Sequence, residues 1–406
     1  MENNSKNAIP GDLESLMDSV SLDDEVKSSK KSIFETISYN FSKFNSSRIE
    51  FLQKTPLLSY SIKRILYAFV TLYLAVIVMY ALLRFVTPDT VYISDLDLGK
   101  LGIKVGSDEY YTLIDNRKKI YGAYGPLISQ IFIYLRNITP FIPKEIILNP
   151  VIDSAGNVTG DPTTMWFYLG VIFGKATGLQ QGSLVQDAFK EAIPVSFKLG
   201  GLAVLLSYLL GVPLGILAAK NKEKWKDSAI NGTSLIISAI PALVIIKLLY
   251  EMSIYYFGAG ARWEDSTVFT KMFPLIGVML LIMPMIIVNT RRFVIDEMTS
   301  DYTKFAMSKG LSSRYVFYVH IFRNAGIRMI KTVPEIFIVT LFGSSILVEQ
   351  HWVVPGMSKF ILYGIADRDT FLILGYIFVS ASAGVFSSLI GDLLLAVLDP
   401  RIKLTK

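Results

Sequence analysis

Six long apolar runs constrain the fold of this chain more than any other feature of its sequence. They are Ile65–Leu83, Leu199–Ala219, Ser228–Leu249, Met272–Thr290, Thr332–Val348 and Phe371–Leu398. A helix needs about 20 residues to cross the hydrocarbon core of a bilayer, and backbone in lipid must satisfy its own hydrogen bonds. The runs therefore predict an all-α polytopic membrane protein with six transmembrane helices.

The composition agrees with a membrane protein and excludes several kinds of site. Only 18% of the 406 residues are charged, whereas a soluble domain averages about 25%. The chain has no cysteine, which excludes disulfides, thiolate nucleophiles and cysteine metal sites. The net charge of +6 comes from Lys and Arg near the ends of the apolar runs. We therefore expect the lipid bilayer, and not nucleic acid, as the partner of this charge.

The distribution of basic residues predicts the orientation of the chain. Four lysines lie in the 220–226 loop and eight Lys or Arg residues lie in the 291–331 loop. The short loops on the opposite side hold two basic residues each. Because positively charged loops stay in the cytoplasm, we predict that both termini and the 291–331 loop are cytoplasmic.

The spans divide the chain into four regions. Residues 1–55 lack the apolar core of a signal peptide and are interpreted as a cytoplasmic tail, in which Ile33–Phe44 forms either an interfacial helix or a partly ordered linker. Residues 61–86 hold the first transmembrane helix. Residues 87–198 are predicted to form an external subdomain and a lead-in to the second span, because a loop of this length is folded or functional. Residues 199–403 form the membrane core.

Several motifs suggest chemistry that their context does not support. Gly170–Thr177 resembles a phosphate-binding loop, but it has one residue too few between its glycines and Ala176 follows the lysine. No catalytic triad is evident, and His320 and His351 lie on opposite sides of the predicted membrane, so no metal site is predicted. We expect the intramembrane residues Glu335 and Asp392 to snorkel or to pair with a neighbouring cation.

A polar segment centred on Gly310 separates the fourth span from the fifth. Residues 304–309 favour a helix, Gly310 ends it, and Ser312 can cap a second helix. A segment of this kind either docks a soluble partner or forms an ordinary solvated loop with an interfacial helix. Its residue pattern alone leaves both interpretations open.

This segment resembles the cytoplasmic coupling loop of bacterial dipeptide and oligopeptide ABC importer permeases. The matching residues are Asp301, Tyr302, Ala306, Lys309, Gly310, Leu311, Ser312, Arg323, Asn324 and Ala325. Lys304 stands where that family has Arg, Phe305 replaces a small residue, and Arg328 stands where Pro is usual.

The likeness extends beyond this loop, over residues 60–86 and 180–403. Glu349–Met357 resembles the external turn of the family, with Glu349, Pro355 and Gly356 matching. Pro194–Ser196 and the C-terminal Asp392–Arg401 also fit the family pattern. Residues 1–55 and most of 87–175 depart from it, so the resemblance implies no role for them.

The resemblance implies an ABC importer permease fold of six transmembrane helices with a large external insertion between the first and the second. It implies a permease subunit of an ATP-driven importer for oligopeptides or dipeptides in the bacterial cytoplasmic membrane. The implied partners are a second permease subunit, two ATPase subunits and an extracellular peptide-binding protein, and peptide is the substrate. This chain would have no catalytic residue and no cofactor, because ATP and Mg would bind to the ATPase subunits.

The resemblance also implies which residues act. The ATPase-coupling loop would use Asp301, Tyr302, Lys304, Ala306, Lys309, Gly310, Leu311, Arg314, Arg323 and Asn324, and the external turn would use Glu349, Pro355 and Gly356. Permeases for nickel or oligosaccharides share this loop and remain alternatives. A secondary transporter is an alternative of another class, which would depend on an ion gradient without an ATPase and would usually show two internal repeats. A membrane-anchored receptor is a further alternative, which would not need a coupling-type loop.

Overall fold

A computed structural model of the chain describes residues 56–152 and 158–398. The predicted interfacial helix in residues 1–55 and the end of the C-terminal motif, from Asp399 onward, lie outside the described residues. The described residues from Arg64 to Leu398 form one compact unit, and only the start of the first helix is described before Arg64.

Helices form most of the described structure, which confirms the predicted all-α class. They are α1 Pro56–Val86, α2 Asp108–Ile120, α3 Leu127–Ile138, α4 Val185–Lys220, α5 Trp225–Ala239, α6 Ala242–Tyr255, α7 Met272–Met298, α8 Asp301–Ser308, α9 Ser313–His351, α10 Lys359–Asp367 and α11 Thr370–Leu398. Within the described residues, α1, α4, α7, α9 and α11 are long and apolar enough to cross a membrane.

The third predicted span is not one straight helix, so the prediction of a continuous helix over Ser228–Leu249 is wrong. It consists of α5 and α6, which meet at an angle of 95° and together qualify as a sixth span. The break lies at Ile240 and Pro241, where Ile240 is extended with φ −72° and ψ 131°. Proline has no N–H to donate and disfavours the helical conformation of the residue before it. The bend therefore follows from Pro241.

Two spans extend well beyond their predicted limits. α4 begins at Val185, ahead of the predicted Leu199, and carries Gln186–Glu191 before the apolar run begins. α9 runs from Ser313 to His351 as one helix of 39 residues, although the fifth span was predicted to begin at Thr332. The second helix of the coupling loop is therefore continuous with the fifth span. Hydropathy marks the apolar part of a helix and misses polar turns that continue it.

α4 and α7 pack closely at Gly215. A Cβ atom added there would lie 2.6 Å from Thr290 Cβ and 2.8 Å from the Ile287 carbonyl oxygen. Small residues at helix contacts let backbones approach in this way. α4 and α7 therefore form a tightly joined pair that ends beside α8.

The region predicted to be external, whose fold the sequence analysis did not assign, is a small mixed subdomain. A 3-10 turn at Asp89–Ile93 precedes α2 and α3, and an antiparallel hairpin follows, with β1 Lys144–Ile152 and β2 Val158–Met165. The hairpin register pairs Lys144 with Met165 and Ile152 with Val158. A cluster of buried aromatic residues joins this subdomain to α11, with the Tyr134 and Phe371 rings stacked at 6.1 Å.

Asp369 anchors the segment that resembled a phosphate-binding loop. Its carboxylate accepts hydrogen bonds from the backbone N–H groups of Phe173 at 2.7 Å, Gly174 at 3.0 Å and Leu372 at 3.1 Å. Burial raises the pKa of Asp369, and these backbone donors oppose the rise. The amides that would wrap a phosphate are therefore occupied by a side chain of the same protein.

Candidate coupling site

The predicted coupling segment forms a short helix, α8, packed under the inner ends of α7 and α9. Thr303 and Ala306 are buried on its inner face. The Thr303 hydroxyl donates to the Glu297 carbonyl oxygen at 2.8 Å, and Ala306 packs in a cluster with Val294 and Phe317. The inner face of α8 therefore fixes its position on the membrane core.

The predicted break and cap between the two helices are present. Gly310 has φ +78°, a left-handed conformation that favours glycine. The Ser312 hydroxyl oxygen accepts a hydrogen bond from the Tyr315 N–H at 3.4 Å and so caps the start of α9. These two residues set the sharp turn between α8 and α9.

The predicted coupling residues divide into an exposed group and an inward-facing group. The exposed group is Asp301, Lys304, Lys309, Gly310, Leu311, Arg314 and Arg323. Tyr302 and Asn324 are half-buried and Ala306 is buried. The exposed group presents most of its surface to another protein, and the inward-facing group contacts the rest of the chain and so holds α8 in position.

Tyr302 is the centre of a polar junction that joins three helices. Its hydroxyl donates to the Glu297 carboxylate on α7 and accepts from the Asn324 side-chain amide on α9 at 2.9 Å. Arg328 lies 2.9 Å from the other Glu297 oxygen and 3.2 Å from Asp296. Sequence analysis did not identify Glu297 in this role, although it noted that Arg328, which pairs with Glu297, departs from the family pattern.

Beside this junction, α8 and α9 enclose a groove of about 440 Å³. The groove has apolar walls and basic groups, and its lining includes Phe305, Lys309, Leu311, Val319, His320 and Arg323. The Phe305 side chain is 61% exposed, and the Lys309 ammonium lies 4.5 Å from the centre of its ring. Aromatic and apolar side chains exposed together with cations form a surface suited to a protein partner with complementary acidic groups.

A second cation contact joins α4 to this site. The Lys220 ammonium at the end of α4 lies 3.7 Å from the centre of the Phe317 ring on α9. Phe317 belongs to the π-helical segment Val316–Phe322, which packs against α8. These contacts join the end of α4, α8 and the start of α9 in one cluster.

The residues of the predicted external turn meet at the other end of α9. Glu349 is fully buried, and its carboxylate accepts from the Ser196 hydroxyl at 2.8 Å and the Ser358 N–H at 2.8 Å. A Cβ atom on Gly356 would lie 2.5 Å from a Glu349 oxygen, so only glycine fits there. Pro355, beside Gly356, is half-buried. Ser196, Glu349 and Gly356, which match the family pattern, therefore meet at one place, although Ser196 is far from the other two in sequence.

The two acidic residues predicted within the spans, Asp392 and Glu335, have different surroundings. Asp392 on α11 pairs with Arg64 on α1, and with Lys331 on α9 at 3.3 Å. This pairing agrees with the expectation for Asp392. Glu335 is exposed on α9. Among the residues that the structure describes, no three His, Asp or Glu side chains are grouped so that they could hold a metal ion.

Comparisons with known proteins bear on the same region. Residues 211–404 match the family described as the binding-protein-dependent transport system inner membrane component. The oligopeptide transport system permease protein AmiC of Streptococcus pneumoniae serotype 4 is 33% identical over 215 residues, which is 51% of this chain and 42% of AmiC. The chain thus spans less than half the length of that relative.

The dipeptide transport system permease protein DppB of Bacillus subtilis is 28% identical over 226 residues, covering 55% of this chain and 72% of DppB. A solved inward-facing structure of the MetNI methionine ABC transporter is 10% identical, covers 53% of this chain and 97% of that chain, and has a TM-score of 0.44. The match of residues 211–404 to the binding-protein-dependent transport system inner membrane component family includes the predicted coupling segment and the predicted external turn.

Proposed function

We propose that this chain is a permease subunit of an ATP-driven importer of oligopeptides or dipeptides, and that it forms half of the translocation pathway. The observation that carries this proposal is the surface of α8 and the start of α9, which is exposed, basic and joined to three membrane helices. The names of the relatives AmiC and DppB favour peptide over nickel or oligosaccharide as the substrate.

The proposed partners follow from the two ends of α9. At its inner end, the groove beside Phe305 and Lys309 would receive an ATPase subunit, which would bind ATP and Mg. At its outer end, the turn held by Glu349 would face an extracellular peptide-binding protein. A second permease subunit and a second ATPase would complete the complex in the bacterial cytoplasmic membrane, with both termini of this chain inside.

α9 offers a continuous helical connection between the two ends. A helix of 39 residues is roughly 58 Å long at 1.5 Å per residue. Closure of the ATPases would push α8, and the Tyr302 junction would pass this movement to α7 and α9. The access of the pathway would then alternate through a rigid-body change of the spans.

The first experiment is purification of the tagged chain from its native membrane in a mild detergent, followed by identification of the proteins that co-purify. Recovery of two ATPases, a second permease and a peptide-binding protein would support the proposal. Recovery of the chain alone, from a preparation that still transports, would favour a secondary transporter.

Two variants test the coupling surface itself. Lys309→Glu reverses an exposed charge in the groove, and Gly310→Pro imposes a negative φ where the turn has φ +78°. Both should lower the peptide imported per ATP hydrolysed while the chain still inserts and folds. Lys224→Glu, an exposed lysine in the neighbouring cytoplasmic loop, is the matched control. Normal coupling in both groove variants would contradict docking at this surface.

A further inference from the structure

The outer end of α9 departs from regular helix geometry at Thr340–Ser344. This segment is π-helical, and the Ser345 N–H donates to the Thr340 carbonyl oxygen, five residues earlier, at 3.1 Å. π-Helical turns are rare, and they occur frequently at functional sites. The wider turn leaves carbonyl oxygens in α9 available to side chains from elsewhere in the protein.

Two side chains outside α9 donate hydrogen bonds to these carbonyl oxygens. The Tyr376 hydroxyl on α11 donates to the Phe342 carbonyl oxygen at 2.6 Å. The Ser358 hydroxyl donates to the Leu341 carbonyl oxygen. The π-helical segment is therefore held in place partly by α11 and partly by the external turn.

The external turn, residues 352–358, is packed as tightly as a protein core. Trp352, Val354 and Met357 are each 1% exposed or less. The Ser196 hydroxyl, which donates to Glu349, also accepts from the Met357 N–H at 2.7 Å. The turn thus closes over the outer ends of α4 and α9 without leaving an opening at these residues.

Ser358 contacts both Glu349 and the π-helical segment. Its N–H donates to the Glu349 carboxylate at 2.8 Å, while its hydroxyl bonds to the π-helical segment. If the segment became α-helical, the residues after it would rotate by about 100°, the angle of one helical residue. Glu349 would then turn away from Ser196 on α4, which also holds the turn through the Met357 N–H. The π-helical segment and the turn must therefore change together.

We propose that the π-helical segment Thr340–Ser344 and the turn 352–358 form one outer latch, and that its release uncovers the turn during the transport cycle. Glu349 is a positioning residue in this latch, because it holds the turn through Ser196 and Ser358. Gly343 has no neighbouring atom within 4 Å of an added Cβ, so the segment has room to change. This inference rests on the proposed function for its timing in the cycle, and on the contacts above for its geometry.

The absence of cysteine from the sequence permits a direct test. Met357→Cys places a single thiol in the turn, and a membrane-impermeant maleimide is added from outside to the complete complex in vesicles. We expect Met357→Cys to be protected at rest and to react at least tenfold faster when ATP and vanadate trap the complex. Val353→Cys, at a residue that is 43% exposed, is the control and should react in both states.

A second comparison needs no nucleotide. Tyr376→Phe removes the hydrogen bond to Phe342 without touching Glu349, so it should favour release and speed resting labelling of Met357→Cys by about two- to tenfold, as expected for one neutral hydrogen bond. Equal protection at rest and in the trapped state, in complexes that import peptide, would overturn the latch, as would unchanged resting labelling with Tyr376→Phe. Peptide uptake is measured in parallel, so a chain that fails to import peptide refutes the proposed function separately.

Discussion

Phe305 offers the sharpest test of the proposed docking surface. Its side chain is 61% exposed on α8, on the wall of the groove. An aromatic side chain has about 200 Å² of surface, so about 120 Å² of Phe305 is available to a partner. At about 25 cal/mol per Å², covering this area stabilises a complex by about 3 kcal/mol. Phe305→Ala should therefore weaken ATPase binding by about a hundredfold.

The assay is the affinity of the purified ATPase subunit for the permease complex in detergent or nanodiscs. Thermal stability of the permease should be unchanged, because the Phe305 ring packs on little of its own protein. Phe386→Ala is the matched control, since Phe386 is 56% exposed but lies on the membrane span α11. If the affinity of Phe305→Ala stayed within about twofold of the wild type, the reasoning would be refuted. Removal of a buried aromatic side chain at the interface should weaken binding by much more than twofold.

Three further predictions concern the contacts that hold the site in place. Tyr302→Phe removes a hydroxyl bonded to a carboxylate, so α8 should be destabilised by about 1.5–3 kcal/mol, seen as faster hydrogen exchange of residues 301–308. Gly215→Val should lower the unfolding temperature in detergent through overpacking of about 1–3 kcal/mol, whereas Gly232→Val, where the Cβ meets open space, should not show this overpacking effect. Asp369→Ala should release the segment around Phe173, and externally added protease should then cut residues 87–184 faster; unchanged cleavage would contradict the anchoring role.

Much of the membrane architecture could be predicted from the sequence, because crossing a bilayer imposes a length and a composition on each helix. Five of the six predicted runs became single spanning helices. The turn at Gly310 and the cap at Ser312 were also predictable, since both depend on residues within a few positions of each other. The predicted docking role of the exposed residues stays a prediction.

Other features depended on which distant residues meet. Pro241 is compatible with a kinked span or with a broken one, and only the structure shows the break, with α5 and α6 at 95°. Tyr302 and Asn324 match the family pattern equally well whether they face a partner or the protein, and the position of Glu297 made them internal. No local pattern predicted the β-hairpin of the external subdomain.

The sequence by itself determined that this chain crosses a membrane, roughly where each span lies, and which loop is basic, because hydropathy and charge are properties of short segments. Only the tertiary structure decided that Ser196 and Glu349 form one contact, that Asp369 occupies the amides near Gly174, and that α9 is continuous from the groove to the external turn. These contacts join residues separated by many turns of helix. They form only when whole helices pack, and the sequence of one segment does not show which other segment it will pack against.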